Sequence, residues 1–272
     1  MLTVRDVRRL LAAHGLAPRK AYGQNFVIDA NTVRKVVRDA GVVGGDLVLE
    51  VGPGLGSLTL ALRAAGARVV ALEVDTGLVR ALHEVVGSDP AVRIVHGDAL
   101  TVDLGELVGG GPAALVANLP YNTATPIMMR ALQAGAFDRM LVMVQKEVGE
   151  RWAAEVGHPQ YGAVSVKMAA LAAVEVVAPV SRAAFYPAPN VDSVTVRLAT
   201  RRWDKPVDRR GLFRLVEEGF SQRRKRLRNA LAAMARPGAV EQALLTAGLS
   251  AGARAEELDL DAWVRLALAL ER

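Results

Sequence analysis

The sequence predicts an α/β fold, a Rossmann-like and mainly parallel sheet with helices on both faces, followed by a small all-helical C-terminal domain. Three observations predict it. The apolar run Leu47–Val51 ends in Gly52, Gly54 and Gly56, as a buried strand feeding a tight turn would. Strand and helix patterns alternate from there through the first half of the chain. After Thr200 the β-branched residues thin out and helical spacing takes over.

In chain order, Val4, Val7, Leu10 and Leu11 share one helical face over Thr3–His14. A basic link leads to Tyr22-Gly23-Gln24-Asn25-Phe26-Val27, which reads as a helix start capped by Asp29 or Asn31, with a helix over 32–41. The alternation then runs strand 47–51, helix to Gly66, strand 68–74, helix 76–86, strand 92–95 and strand 113–117. Further on come strand 140–144, helices 146–155 and 162–173, β-rich 174–180 and an alternating strand 191–198. Helical patterns occupy 208–220, 221–234, 239–247 and 260–270, so the domains are expected at 1–200 and 201–272.

The 272 residues allow a full core and contain no cysteine, which excludes disulfides, cysteine-ligated metals and a cysteine nucleophile. His14, His83, His96 and His158 lack metal-ligand spacing, so no metal is expected. With no signal-like or membrane-spanning run, a cytoplasmic protein without a membrane partner is expected. Net charge is +6, gathered in residues 1–38 and 197–236 against an acidic remainder. That distribution suits a polyanionic partner held through phosphates.

The glycine turn lacks the third glycine of a dinucleotide fingerprint and the Gly-Lys-Ser/Thr of a phosphate loop. Glu50 before the turn, Glu73 ending the next strand and Asp98 closing the third suit S-adenosylmethionine instead. In that reading the backbone at Gly52, Gly54 and Gly56 holds the amino-acid part. Glu73 accepts the ribose hydroxyls, Asp98, beside Ala99, accepts the adenine amine, and Val74 offers the ring an apolar face. Asn118-Leu119-Pro120-Tyr121 then points to an exocyclic base amine as acceptor. The Asn118 side-chain oxygen and the Leu119 carbonyl would accept its two hydrogens and free the nitrogen lone pair. Pro120 would fix the turn and Tyr121 would stack on an unstacked base. Cytosine C5 chemistry would need a cysteine.

Gly23-Gln24-Asn25-Phe26, Glu50-Val51-Gly52-Pro53-Gly54-Leu55-Gly56, Glu73-Val74-Asp75, Gly97-Asp98-Ala99, Asn118-Leu119-Pro120-Tyr121 and Phe185-Tyr186-Pro187-Ala188-Pro189-Asn190-Val191 together resemble the ordered motifs of the ribosomal RNA adenine N6-dimethyltransferases. The resemblance covers essentially the whole chain. It implies that Gln24 and Asn25, with the backbone at Val27, help bind the cofactor's methionine end. Gly52, Glu73, Asp98 and Asn118 complete that site, and Phe185 stacks on the target adenine opposite Tyr121.

Phe220-Ser221-Gln222-Arg223-Arg224-Lys225-Arg226-Leu227-Arg228-Asn229 resembles the small-subunit branch of the family more than its antibiotic-resistance branch, with Ser221 where Asn is common. Arg223, Arg224, Lys225, Arg226 and Arg228 would make a phosphate-binding helix. The resemblance implies a monomer that dimethylates two adjacent adenosines in a hairpin loop near the 3′ end of 16S rRNA. Its substrate would be the 30S subunit, its by-product S-adenosylhomocysteine, and a late role in ribosome assembly would accompany catalysis. An assembly checkpoint without chemistry is a rival that intact Asn118–Tyr121 opposes. A DNA adenine methyltransferase is opposed by the basic C-terminal helices and by Leu119, where many DNA enzymes carry proline.

Overall fold

The computed structural model describes residues 1–19, 23–222, 225–236 and 238–271. It divides into two compact units: Met1–Gly149 with Glu175–Thr200, and Glu150–Val174 with Arg201–Arg272. The expected crossing near residue 200 is therefore accompanied by an earlier excursion, because 150–174 packs with the C-terminal helices.

The first unit opens with α1 (Val4–Ala13). Thr3 caps it by accepting from the Asp6 amide, and the Asp6 carboxylate accepts from the Thr3 amide in return. The buried face Val7, Leu10 and Leu11 packs in one cluster with Phe26, Leu55 and Leu78. Next, β1 (Phe26–Val27) pairs antiparallel with β8 (Phe185–Tyr186), so Phe26 belongs to a strand and not to a helix start. Asp29 caps α2 (Ala30–Asp39), accepting from the Asn31 and Thr32 amides.

The alternation follows as β2 (Leu47–Val51), α3 (Ser57–Ala64), β3 (Arg68–Glu73), α4 (Thr76–Val86), β4 (Val92–His96), the short α5 (Leu104–Leu107) and β5 (Ala113–Asn118). Continuous apolar runs bury β2, β3 and β5 on both faces, as a parallel sheet requires, while β4 at the sheet edge has no buried residue. An unpredicted helix, α6 (Ala124–Ala134), precedes β6 (Phe137–Gln145). Its buried stripe Ala124, Ile127, Met128, Ala131 and Leu132 has helical spacing. Pro126 lies in the first turn, where its missing N–H costs nothing. The main sheet runs β4-β3-β2-β5-β6-β9-β7, with β7 at Ala172–Val180 and β9 at Ser193–Thr200. From β4 to β6 the pairing is parallel, and β9 lies antiparallel on β6.

α7 (Lys146–Ala153) leads into the second unit, which contains α8 (Ala163–Leu171), α9 (Arg209–Ser221), α10 (Leu227–Ala230), α11 (Ala239–Thr246) and α12 (Leu260–Leu270). Trp263 is fully buried there, tilted against Phe220, and Phe220 meets the edge of Tyr161. The expected helix over 221–234 is corrected. α9 ends at Ser221, and only Leu227–Ala230 resumes as α10. Leu227 explains the restart, since its side chain is fully buried and its amide donates to the Ala253 carbonyl at 2.8 Å. Consecutive like charges also weaken a continuous helix. Among the described residues no helix is long and apolar enough to cross a membrane.

Gly56 starts α3 at φ +91°, and a Cβ there would lie 2.7 Å from Leu82 Cδ1. Gly56→Ala is expected to destabilise the chain by about 1–3 kcal/mol, read as a lower midpoint in urea unfolding.

Candidate functional site

The site forms at the carboxyl ends of β2, β3 and β5, where open α/β sheets bind ligands. Glu73, the last residue of β3, is 5% exposed and turns its carboxylate toward the glycine turn. One oxygen accepts from the Gly54 amide at 3.0 Å. The other accepts from the Val74 and Asp75 amides at 2.9 and 3.0 Å. Burial pushes this carboxyl above its ordinary value, and the three amides pull it back toward the ionised form. Gly54, at φ +57°, brings its Cα so close to Phe26 that a Cβ would lie 3.1 Å from the ring. At Gly52 a Cβ would lie 3.7 Å from Pro120 Cδ. The turn therefore presents bare backbone along one wall of a cleft.

Glu50 lies beneath that wall, 1% exposed. Thr59 Oγ1 donates to its Oε2 at 2.6 Å. Burial, reinforced by the nearby Glu73 charge, pushes its carboxyl up to about 8, so Glu50 is protonated at neutral pH.

Residues 23–27 form the opposite lip. The Arg19 amide donates to Gln24 Oε1 at 2.8 Å, the Asn25 amide group donates to the Gly23 carbonyl at 3.0 Å, and Ser57 Oγ donates to the Val27 carbonyl at 2.7 Å. At the third strand end, Asp98 is exposed and accepts from the Leu100 amide. Arg130, from α6, donates to the carbonyls of Ala99 and Val102 and pins that loop.

Asn118 ends β5. Its Nδ2 donates to the Asn25 carbonyl at 3.0 Å, which fixes the amide's orientation. Its Oδ1 is buried with no hydrogen-bond donor among the described residues. Buried acceptors are rarely left so, and Asn118 is one of the residues that line the cleft. The Leu119 amide donates to the Met143 carbonyl at 3.0 Å, and the Tyr121 hydroxyl is 2.6 Å from Ser193 Oγ. Burial raises the Tyr121 phenol above its ordinary value.

Gln24, Asn25, Val27, Gly52, Gly54, Glu73, Val74, Asp98, Ala99, Asn118 and Pro120, read from sequence, all line this one cleft. Gly56, Leu119, Tyr121 and Phe185 are not among its lining residues. Gly56 serves the helix start, and the Leu119 side chain is buried. Phe185, 2% exposed, packs in the sheet core because the β1–β8 ladder turns it inward, so it offers no open face for stacking. Sequence reading missed Asn122, Thr123 and Ile127, which reach the cleft from the start of α6. The apolar spacing of that helix was the available signal. Of the basic run, Arg223 and Arg224 lie outside the described residues. Lys225 and Arg226 are exposed, and Arg228 lies 3.8 Å from Glu241.

A parallel sheet whose glycine turn is locked by the acidic end of the neighbouring strand, with an antiparallel strand beside β6, defines the Rossmann-like methyltransferases that use S-adenosylmethionine. Within that class, the chain belongs to the ribosomal RNA adenine dimethylase family, whose model matches residues 15–272. It is 47% identical to ribosomal RNA small subunit methyltransferase A of Streptomyces avermitilis, over 96% of this chain and 91% of that one. Against the protein of the same name from Leifsonia xyli it is 48% identical, over 96% of each. The crystal structure of the 23S rRNA methyltransferase ErmE is similar with a TM-score of 0.68 and 28% identity, covering 91% of this chain and all of that one. A dimethyladenosine transferase from Plasmodium falciparum shares the fold, with a TM-score of 0.76 and 23% identity over 89% and 96% of the two chains.

The folded chain keeps on Glu50 a proton that the unfolded chain releases near 4.5. Stability is therefore expected to fall as pH rises from about 4.5 to about 8, and to level above it. Glu73, shifted the same way, adds to the slope. Glu50→Gln should flatten much of this decline in urea unfolding measured across that pH range.

Proposed function

We propose that the protein dimethylates N6 of two adjacent adenosines in a hairpin loop near the 3′ end of small-subunit rRNA, acting on the partly assembled subunit. The observation that carries the reading is the donor-less buried Oδ1 of Asn118, a residue of the cleft lining. It is an acceptor waiting for a donor, in a chain of the rRNA adenine dimethylase family. The small-subunit branch is supported by relatives that bear that name at 47–48% identity.

The residues present fit S-adenosylmethionine. Gly52 and Gly54 line the cleft together with Gln24 and Asn25, so the cofactor's amino-acid part would lie against the turn backbone. The Glu73 carboxylate, already holding three amides, would meet a ribose hydroxyl with its one remaining lone-pair site. Exposed Asp98 would accept the adenine amine beside Val74. When bound, the cofactor supplies an electrophilic methyl group and leaves as S-adenosylhomocysteine.

Asn118 Oδ1 and the Leu119 carbonyl would take the two amine hydrogens, turning the nitrogen lone pair out of the ring and toward the methyl group. The Leu119 backbone is held for this by its bond to Met143. No side chain needs to remove the proton, because an alkylated aryl amine is acidic enough to release it to water. Tyr121 would stack on the base, and Lys225 and Arg226 would bind phosphates.

Methyl transfer from labelled S-adenosylmethionine to undermethylated small subunits, large subunits and naked rRNA tests the reading. Label should appear as N6,N6-dimethyladenosine on small subunits alone, and Asn118→Ala should lower turnover about 100-fold while cofactor binding by calorimetry is largely kept. Label confined to large-subunit rRNA would overturn the substrate assignment, and equal turnover in Asn118→Ala would overturn the acceptor role. Lys225→Glu with Arg226→Glu should weaken subunit binding and reduce the salt slope by about one for each phosphate that is no longer neutralised.

A further inference from the structure

We propose that Ser193 is a positioning residue for methyl transfer, its hydroxyl fixing the Tyr121 side chain and so the end of the Asn118–Tyr121 turn against which the target base lies. The inference rests on the methyltransferase reading above and assigns a task that reading leaves open: what holds the stacking ring in place.

Ser193 begins β9 and is fully buried, in a strand whose other buried residues are Val194, Thr195, Val196 and Leu198. A hydroxyl in such a place costs stability unless it is hydrogen-bonded. Among the described residues its side-chain partner is the Tyr121 hydroxyl at 2.6 Å. The serine itself stands on fixed backbone. It pairs with Gln145 of β6, and the preceding Asp192 accepts from the Lys146 amide through its carbonyl and from the Arg182 amide through its carboxylate, each at 3.0 Å.

The turn needs such an anchor. Asn118 Nδ2 to Asn25 and the Leu119 amide to Met143 hold its first two residues. Beyond Pro120 the backbone continues toward α6, and the Tyr121 amide lies against Gly23, where a Cβ would come within 3.0 Å. Those neighbours place the Tyr121 backbone, and the bond to Ser193 ties down the far end of its side chain. With its hydroxyl so engaged, the Tyr121 phenol is a tethered surface and not a proton carrier. A ring already held in its working orientation loses no rotamer freedom when the base arrives.

The test uses the full chain, S-adenosylmethionine and undermethylated small subunits, with Ser193→Ala, Tyr121→Phe and the double variant. Tyr121→Phe keeps the ring and removes only the tether. Each single variant is expected to lower kcat about three- to tenfold, with cofactor affinity by calorimetry within about twofold of the parent. The double variant should turn over no more slowly than the slower single, because the bond is already absent. Multiplying effects in the double variant, or a cofactor affinity that falls as far as kcat, would make Ser193 merely structural and overturn the proposal. Parental kcat in either single variant would overturn it as well. Should Ser193→Ala fail to fold, Tyr121→Phe decides alone, since its partly buried phenol can be removed without opening the core. A parent chain inactive on every rRNA would instead overturn the methyltransferase reading, and this inference with it.

Discussion

The buried carboxylate of Glu73 is the constraint on which the site depends. Three backbone amides from two segments converge on it, Gly54 from the turn after β2 and Val74 and Asp75 from the turn after β3. A carboxylate taken this far out of water is unfavourable unless its lone pairs are satisfied, and satisfying them fixes both turns at once. The glycines are then needed for conformation as well as for space. Gly52, Gly54 and Gly56 all sit at positive φ, which lets the chain double back toward Glu73 and still enter α3 on time.

From that fixed wall the rest of the cleft is built by bridges between segments distant in sequence. Asn118 ties β5 to the N-terminal lip through Asn25, Ser57 ties α3 to Val27, and Arg130 ties α6 to the loop after β4. Each bridge sets a side-chain donor on a backbone carbonyl, so the lips close without burying unpaired charge. Asn118 Oδ1 differs from these groups: it is a desolvated acceptor with no donor among the described residues.

The neighbouring carboxyl, Glu50, shows how burial divides labour between like groups. Glu73 is met by three amides, whereas Glu50 is met by the Thr59 hydroxyl and is shifted to about 8. Two acidic residues that look alike in sequence are thus held differently: burial raises both, but three amides pull Glu73 back toward the ionised form, whereas Glu50 has the Thr59 hydroxyl for its partner.

The parallel core was legible in the sequence, because Leu47–Val51, Arg68–Glu73 and Thr76–Val86 announce themselves by apolar period, turn glycines and the Asp75 cap. So were the cleft-lining residues Gly52, Glu73, Asp98 and Asn118, each at or just after a strand end that local pattern can locate. The charge run at 223–228 suggested a continuous helix, whereas α9 ends at Ser221 and α10 starts at Leu227, which is buried and bonded to Ala253. Phe185 read as an aromatic platform, and only its pairing with Val27 turns it into the core. The Tyr121–Ser193 bond joins residues that no local period relates. What the sequence determined by itself follows from short-range physics, in which propensity, capping and the period of burial act within a few residues. What only the tertiary structure decided, that the Asn118 side-chain oxygen stays without a donor and which ring faces inward, depends on long-range packing that brings separate strand ends together.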